Sequence, residues 1–521
     1  MNAWNTAVDV VMRCLRAGIT EFVVCGGARN AALLEALARA QSAGKCKVWR
    51  HFEERGAGFF ALGRTMASGH PCAVVTTSGT AAAELLPAAI EAFYQARPLL
   101  LLTADRPAAF RHSGAPQTID QTALFGCHAT SIPLEDWNGS SPLHWNVELD
   151  EEFSPGEDNF QDAEPGTWAL RETPPIVAAL ARWLREDAYR GFVVMIGGLE
   201  PEDREEVFHF CRDFGAPVVA EATSGLREAL AALAIHDADR VLARHPPGKI
   251  LRLGEVPSGR FWRDLENQTE TRVWSVCRNG LPGLARESQV TPGRVGRVLR
   301  ALGDVDPVGD ALDLLVGASA RAAALEELLE AFPDSEPGLV RAISHFASIA
   351  SGVYLGNSLP IREWNQFAQW PRPVHNIRAN RGANGIDGQI STWLGSSAEQ
   401  ENAWAIAGDL TTLYDAAAPA LFAQVENSGR VLAVINNRGG RIFDRLPRLQ
   451  SMHASAAESL IQPQAADFSG LATLWGMRHL RVRTADDLDH LTAEGPPLLL
   501  EIIPDEKQTT RFWEVWGTLR T

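Results

Sequence analysis

The chain reads as an α/β protein of three doubly wound domains, each built on a mainly parallel sheet. Three observations carry that expectation. Apolar runs such as residues 22–25, 72–76 and 99–103 each lead through a turn into the next segment, two of them into a helix-length stretch, an order that makes βαβ units. At 521 residues the chain is too long for one core, and its length suggests roughly three domains. Several runs also end abruptly in Gly, Asp, Asn or Ser, at the strand ends where open α/β sheets bind ligands.

Taken in order, Val8, Val11, Met12 and Leu15 fall at i, i+3, i+4 and i+7 with Asp9 and Arg13 on the other side. That spacing predicts an amphipathic first helix and not a signal peptide. Residues 22–25 read as a strand ending in Gly26-Gly27-Ala28-Arg29-Asn30, with a helix over 31–41. A strand over 72–76 ends at Thr77-Ser78-Gly79-Thr80 and leads into a helix over 81–93, kinked at Pro87. The strand over 99–103 ends in Ala104-Asp105-Arg106-Pro107. Residues 135–172 are acidic, rich in Pro, Gly and Ser, and weakly periodic, so they read as an irregular excursion. Strands over 191–197, 217–220 and 249–253 form a second block with few polar clusters at their ends, and a helical bridge follows over 309–332. The third block holds strands over 353–355, 403–410, 431–436 and 497–503. The expected boundaries are 1–185, 186–335 and 336–521.

The balance of 48 basic and 64 acidic residues gives a net charge of −16, which argues against a nucleic-acid or anionic-membrane partner. Seven cysteines are scattered with no Cys-x-x-Cys pair. They fit a reduced, cytoplasmic protein without structural zinc or disulfides. No apolar run is long enough to span a bilayer, so no membrane insertion is expected.

Two of the strand ends carry hard-oxygen chemistry. Asp409 supplies a carboxylate and Asn437 an amide oxygen, and glycines beside them let a backbone carbonyl come close. Those are ligands that Mg²⁺ prefers, together with phosphate oxygens and water. The two residues lie 437 − 409 = 28 positions apart, room for one crossover helix (413–424) between adjacent parallel strands. Two buried strands ending in ordinary turn residues would carry the same letters. Elsewhere Glu53 and Glu54 open a helix whose small residues permit close packing. A carboxyl in an apolar pocket has its charged form disfavoured, whereas a solvated pair at a helix start merely favours the dipole.

Eight motifs in order narrow the reading. They are Glu54-Arg55-Gly56, Thr77-Ser-Gly-Thr80, Leu102-Thr-Ala-Asp-Arg-Pro107, Gln117-Thr-Ile-Asp-Gln121, Gly356-Asn-Ser-Leu359, Asn380-Arg-Gly-Ala-Asn-Gly-Ile-Asp-Gly388, Gly408-Asp-Leu410 and Asn436-Asn-Arg-Gly-Gly-Arg-Ile-Phe443. With them the chain resembles the 2-succinyl-5-enolpyruvyl-6-hydroxy-3-cyclohexene-1-carboxylate synthases, thiamine-diphosphate enzymes of menaquinone biosynthesis. The resemblance covers about 22–125 and 356–447, with weaker echoes between. It implies domains in the order pyrimidine-binding, central and diphosphate-binding, and a homo-oligomer, dimer or tetramer, whose subunits share the cofactor. It makes Glu54 the acid that hydrogen-bonds the cofactor's pyrimidine ring. Asp409, Asn437 and the Gly439 carbonyl become ligands of Mg²⁺, with Mn²⁺ as the alternative. Gly408, Leu410, Ile442 and Phe443 line the diphosphate and thiazolium, and Ile386 props the bent cofactor.

The implied substrates, 2-oxoglutarate and isochorismate, are dicarboxylates, which guanidinium groups grip bidentately. The matching positions are Arg29, Arg106, Arg362 and Arg381, with Asn357 as a polar partner and Gln117 as a partner with a catalytic role. Three departures stand out. Gly26-Gly27-Ala28-Arg29 lacks the family's hydroxyl before the arginine, and Arg438 replaces a smaller residue in the metal loop. Of two adjacent basic residues usual in the central domain only Arg260 remains, followed by Phe261. The departures leave room for another thiamine-diphosphate decarboxylase or carboligase. A catalytically silent scaffold is opposed by Glu54, Asp409 and Asn437, all present.

Overall fold

A computed structural model of the chain describes residues 2–150, 152–170, 173–186, 191–308, 312–370, 376–445, 451–492 and 494–518. Its framework is three sheets whose strand pairs are all parallel. The first contains β1 Glu21–Val24, β2 Lys47–Arg50, β3 Cys72–Thr76, β4 Leu99–Asp105 and β5 Leu143–Glu148, in the order β2-β1-β3-β4-β5. The second contains β6 Phe192–Ile196, β7 Val218–Ala220, β8 Lys249–Leu253, β9 Arg272–Cys277 and β10 Gln289–Pro292, in the order β10-β9-β8-β6-β7. The third contains β11 Gly352–Leu355, β12 Ile377–Arg378, β13 Ala403–Gly408, β14 Val431–Ile435, β15 Arg478–Val482 and β16 Leu498–Ile502, in the order β12-β11-β13-β14-β16-β15.

The central strands are buried along their whole length, β3, β4 and β14 among them. That is why they read as unbroken apolar runs and not as alternating ones. The edge strand β2 buries only Trp49 and gives almost no pattern, so the sequence missed it. The first helix, Ala3–Arg16, is as expected: Asn2 caps it by accepting from the Trp4 N–H at 3.0 Å, and Val10, Val11, Cys14 and Leu15 are buried.

Three expectations are corrected, and the helical bridge stands. The excursion over 135–172 contributes β5, which pairs with β4 from Leu100↔Leu143 onward. The stretch over 81–93 is two helices, Thr80–Ala83 and Leu86–Tyr94. Pro87 sits in the first turn of the second, where its missing N–H costs no intrahelical bond, so it starts a helix instead of kinking one. The connection after β13 is the helix Asp409–Tyr414 followed by a 3₁₀ turn, Ala418–Gln424, in place of one crossover helix. The bridge is helical over Ala318–Ala331, and residues 309–311 lie outside the described residues.

The chain forms two compact units: Met1–Glu172 with Gly382–Glu399 and Tyr414–Glu426, and Thr173–Arg381 with Gln400–Leu413 and Asn427–Thr521. In the first unit the helices Glu54–Ser68 and Gln389–Ser396 meet backbone to backbone. A Cβ on Gly63 would lie 2.3 Å from the Thr392 carbonyl oxygen, and one on Gly395 would lie 2.1 Å from that of Phe60. Only glycine fits at either position. In the second unit β13 and β14 are adjacent and in register from Trp404↔Val431 to Gly408↔Ile435, so Asp409 and Asn437 emerge at neighbouring carboxyl ends.

Candidate active site

In the second unit Asp409 follows directly on β13 and is almost fully buried. Its Oδ2 accepts from the Gly439 N–H and from Gln464 Nε2, both at 2.7 Å, and its Oδ1 from the Leu410 N–H at 2.7 Å. Burial pushes this carboxyl up, and the hydrogen bonds pull the other way. The two asparagines after β14 are used differently. The Asn436 amide is fully engaged, donating to Glu501 at 2.7 Å and accepting from Gln464 at 2.9 Å. Asn437 donates to Glu336 Oε1 at 2.9 Å, and among the described residues its amide oxygen has no donor.

Gly439 stands at φ +132°, and a Cβ there would lie 2.7 Å from the Ile461 carbonyl oxygen, so the turn is a cradle closed to any larger residue. A buried carboxylate, a free amide oxygen and a backbone carbonyl in one cradle fit a small hard cation. Ile442 and Phe443 lie on the following 3₁₀ turn, Arg441–Arg445, half-buried. Gly408 and Leu410, also half-buried, flank Asp409.

Behind this loop is a buried carboxyl pair that sequence reasoning missed. Glu336 and Glu363 are buried close enough to shift each other's titration, and Arg445 donates to Glu363 while lying 3.7 Å over the Trp513 ring. Burial, then the Glu363 charge, pushes Glu336 well above the usual carboxylate range. Burial raises Glu363 as well, against the lowering charge of Arg445. In the sequence both residues look like solvated helix faces, and no signal separates them.

Arg362, Arg381 and Asn357 come together in the same unit. Arg381 donates to Asn357 Oδ1 at 2.9 Å, and its Nε is buried without a partner among the described residues. Arg362 donates to the Ser358 carbonyl, and Ser358 is held at φ +73°. Burial pushes Arg362 down to about 10, helped by the charges of Arg381 and Arg263 and opposed by Glu221. Cations crowded in this way favour an anionic ligand.

Arg260 is exposed on the short helix Arg260–Asp264 and pairs with Asp264 at 3.5 Å. Arg263, one turn further along and also exposed, is the cation from this helix whose charge lowers Arg362. The helix is tied down through Ser258, which donates to Glu221 and accepts from Asn365 Nδ2 at 3.1 Å.

In the first unit the two glutamates divide. Glu53 caps the helix Glu54–Ser68 by accepting from the Gly56 N–H at 2.8 Å. Glu54 points elsewhere, and among the described residues no side chain hydrogen-bonds its carboxylate. Burial pushes Glu54 up against a lowering contact from its own backbone, and the charges of Glu53 and Glu84 add to the rise. His51 accepts from the Glu53 N–H at 2.9 Å through Nδ1, so its proton sits on Nε2, and burial pushes it down to about 4.

Arg29 is buried on the turn after β1 and donates to the Leu149 carbonyl at 3.1 Å. Arg106 follows β4, half-buried, with its Nε unpartnered among the described residues. The Gln117 side chain is exposed, at φ +54°, and its carbonyl accepts from Ser78 at 2.8 Å. All three stand at the carboxyl edge of the first sheet. A buried network fixes that edge: Gln121 accepts from the Gly79 N–H at 2.9 Å and donates to Asn146 at 2.8 Å, and Asn146 donates to Asp105 at 2.8 Å. Ile386 is half-buried just before the helix Gln389–Ser396 and falls in this first unit, with Glu54.

Comparison with known proteins agrees with the chemistry of these residues. Residues 5–124 match the thiamine pyrophosphate enzyme N-terminal TPP binding domain. That match, with the relatives below, makes the protein a thiamine-diphosphate enzyme, and its parallel sheets of 5, 5 and 6 strands are consistent with the three-domain fold of that class. A 2-succinyl-5-enolpyruvyl-6-hydroxy-3-cyclohexene-1-carboxylate synthase of Akkermansia muciniphila is 51% identical over 97% of this chain and 97% of the relative. Proteins of the same name from Bdellovibrio bacteriovorus and Chloroflexus aurantiacus are 34% and 31% identical over 100% and 88% of this chain. The chain belongs to the family of 2-succinyl-5-enolpyruvyl-6-hydroxy-3-cyclohexene-1-carboxylate synthases.

Proposed function

We propose that the chain decarboxylates 2-oxoglutarate and adds the remaining carbon chain in a 1,4 sense to isochorismate, with Glu54, Asp409 and Asn437 as the residues that serve the cofactor. The observation that carries this reading is the placement of Asp409 and the free Asn437 oxygen at the ends of adjacent strands. Bound thiamine diphosphate supplies the nucleophilic carbon and the electron sink that decarboxylation requires. Asp409, Asn437 and the Gly439 carbonyl would hold Mg²⁺, or Mn²⁺ in its place, beside the diphosphate. Gly408, Leu410, Ile442 and Phe443 would line that side, and Ile386 would support the cofactor. Glu54 would hydrogen-bond the pyrimidine ring as a proton donor or acceptor, a task its burial suits.

Arg362 and Arg381, the latter oriented by Asn357, hold substrate carboxylate. Arg29, Arg106 and Gln117 contribute from the edge of the first sheet. From the central domain Arg260 is offered to the acceptor, and Arg263 on the same helix adds its charge at Arg362. The division 1–185, 186–335 and 336–521 is part of the proposal and is supported by one parallel sheet in each segment. So are a homo-oligomeric state and a cytoplasmic location. Among the described residues no helix is long and apolar enough to cross a membrane.

Purified protein supplied with thiamine diphosphate, Mg²⁺, 2-oxoglutarate and isochorismate should release carbon dioxide and form the coupled product. Carbon dioxide release with isochorismate left unconsumed would reduce the reading to a decarboxylase.

A further inference from the structure

The Asn437 amide can serve a cation only through its oxygen, yet an amide rotates readily between presenting oxygen and presenting NH₂. Its Nδ2 donates to Glu336 Oε1 at 2.9 Å, and that acceptor is what turns the oxygen outward. Glu336 itself is rigidly placed. It opens the helix Glu336–Ala347, is 3% exposed, and donates its backbone N–H to Thr509 Oγ1 at 2.9 Å. Ser335 caps the same helix by accepting from the Gly338 N–H at 3.1 Å. Beside it Glu363, 0% exposed on the helix Leu359–Phe367, accepts from Arg445 at the end of the Arg441–Arg445 turn. Asn437 is thus backed by a buried carboxyl, and the turn that carries Ile442 and Phe443 is tied to a second one.

We propose that Glu336 is a positioning residue for the metal: by accepting from Asn437 Nδ2 it fixes the amide with its oxygen toward the cation. This rests on the reading of Asp409 and Asn437 as metal ligands. A carboxyl buried only to fill space would not need the one acceptor geometry that selects the amide's orientation. Partners that orient metal ligands in this way change metal affinity by about 10–100-fold when lost.

The test is Mg²⁺ titration of thiamine diphosphate binding, followed by calorimetry, with Mn²⁺ binding by electron paramagnetic resonance as a second readout. Glu336→Leu removes the acceptor and should raise the Mg²⁺ needed for half-saturation about 10–100-fold. Glu336→Gln keeps an acceptor oxygen for Asn437 at the same reach, so it should titrate close to wild type. Glu336→Asp keeps a carboxylate in the first turn of the helix but withdraws it by one methylene; it should shift the titration in the same direction, and it serves if the leucine variant does not fold. A lowered melting temperature with wild-type Mg²⁺ half-saturation in Glu336→Leu or Glu336→Asp would mean a purely structural role and overturn the proposal. Asp409→Ala separates the two levels. If it too leaves Mg²⁺-dependent binding unchanged, the metal reading itself fails; if it abolishes binding while the Glu336 variants titrate as wild type, only the positioning role fails.

Discussion

Glu54→Gln exchanges one carboxyl oxygen for NH₂ at the start of a helix whose cap is the neighbouring residue. The structure separates what the two acids do. Glu53 accepts from the Gly56 N–H at 2.8 Å, so Glu53→Ala removes a cap and should cost about 0.5–2 kcal/mol of stability. Glu54 makes no such bond, and burial already disfavours its charged form, so Glu54→Gln should leave the melting temperature unchanged or slightly higher. Its effect belongs to turnover. A glutamine keeps shape and a hydrogen bond to the pyrimidine ring but cannot exchange a proton with it, and a positioned acid/base contributes about 10²–10⁴-fold. At ~1.36 kcal/mol per decade, that is about 2.7–5.5 kcal/mol of barrier. The assays are steady-state kcat with both substrates, thiamine diphosphate affinity by calorimetry, and thermal melting of Glu53→Ala, Glu53→Gln and Glu54→Gln. Kinetic loss in Glu53→Gln with full activity in Glu54→Gln would refute the division of labour.

Three further outcomes are expected. Arg263→Ala should raise the KM for isochorismate more than Arg260→Ala does, because the charge of Arg263 reaches Arg362 while Arg260 is paired with Asp264; wild-type KM values in both variants would remove the central helix from acceptor binding. Gly63→Ala drives a Cβ to 2.3 Å from the Thr392 carbonyl oxygen, and overpacking of this kind costs about 1–3 kcal/mol, so a melting curve that does not move would refute the close helix contact. Asp415 is pushed up to about 6 by burial, so between pH about 4 and 6 the folded chain keeps a proton that the unfolded chain releases, and this group's contribution to stability falls as pH rises. His51 and His144, pushed down to about 4, act in the opposite sense, since there the unfolded chain holds the extra protons. Asp415→Asn removes the opposing contribution, about 3 kcal/mol for a shift of about two units, and should steepen the loss of urea resistance on acidification across this window. An unchanged slope would refute it.

The residues alone determined the framework of strands and helices and the chemistry at strand ends, because both are written locally. Buried parallel strands must be apolar along most of their length, as β3, β4 and β14 are, and a strand that stops at Asp409 or Asn437 states its own chemistry. β2 and β12 left no such trace, since β2 buries one of its 4 residues and β12 has only 2, whereas the 4-residue β1 and β11 are apolar where they are buried. Pro87 was ambiguous for a related reason: one residue permits a kink or a new start, and only the packing of Leu86–Tyr94 chose.

The tertiary structure decided how neighbouring, chemically equal residues divide their work. Asn436 and Asn437 differ by one position, yet one amide is bonded at both its oxygen and its nitrogen while the other's oxygen has no donor among the described residues. Glu53 and Glu54 part in the same way, into a cap and an acid with no side-chain partner among the described residues. Residues 382–399 lie within the third block of sequence but pack in the first unit, because Gly63 and Gly395 let two helix backbones touch. The partner that orients Asn437 lies 101 residues away, and a glutamate at that distance looks like any exposed acid until folding buries it. Sequence periodicity reports which face of an element is apolar; which oxygen a buried amide presents is set by the group folding brings against it.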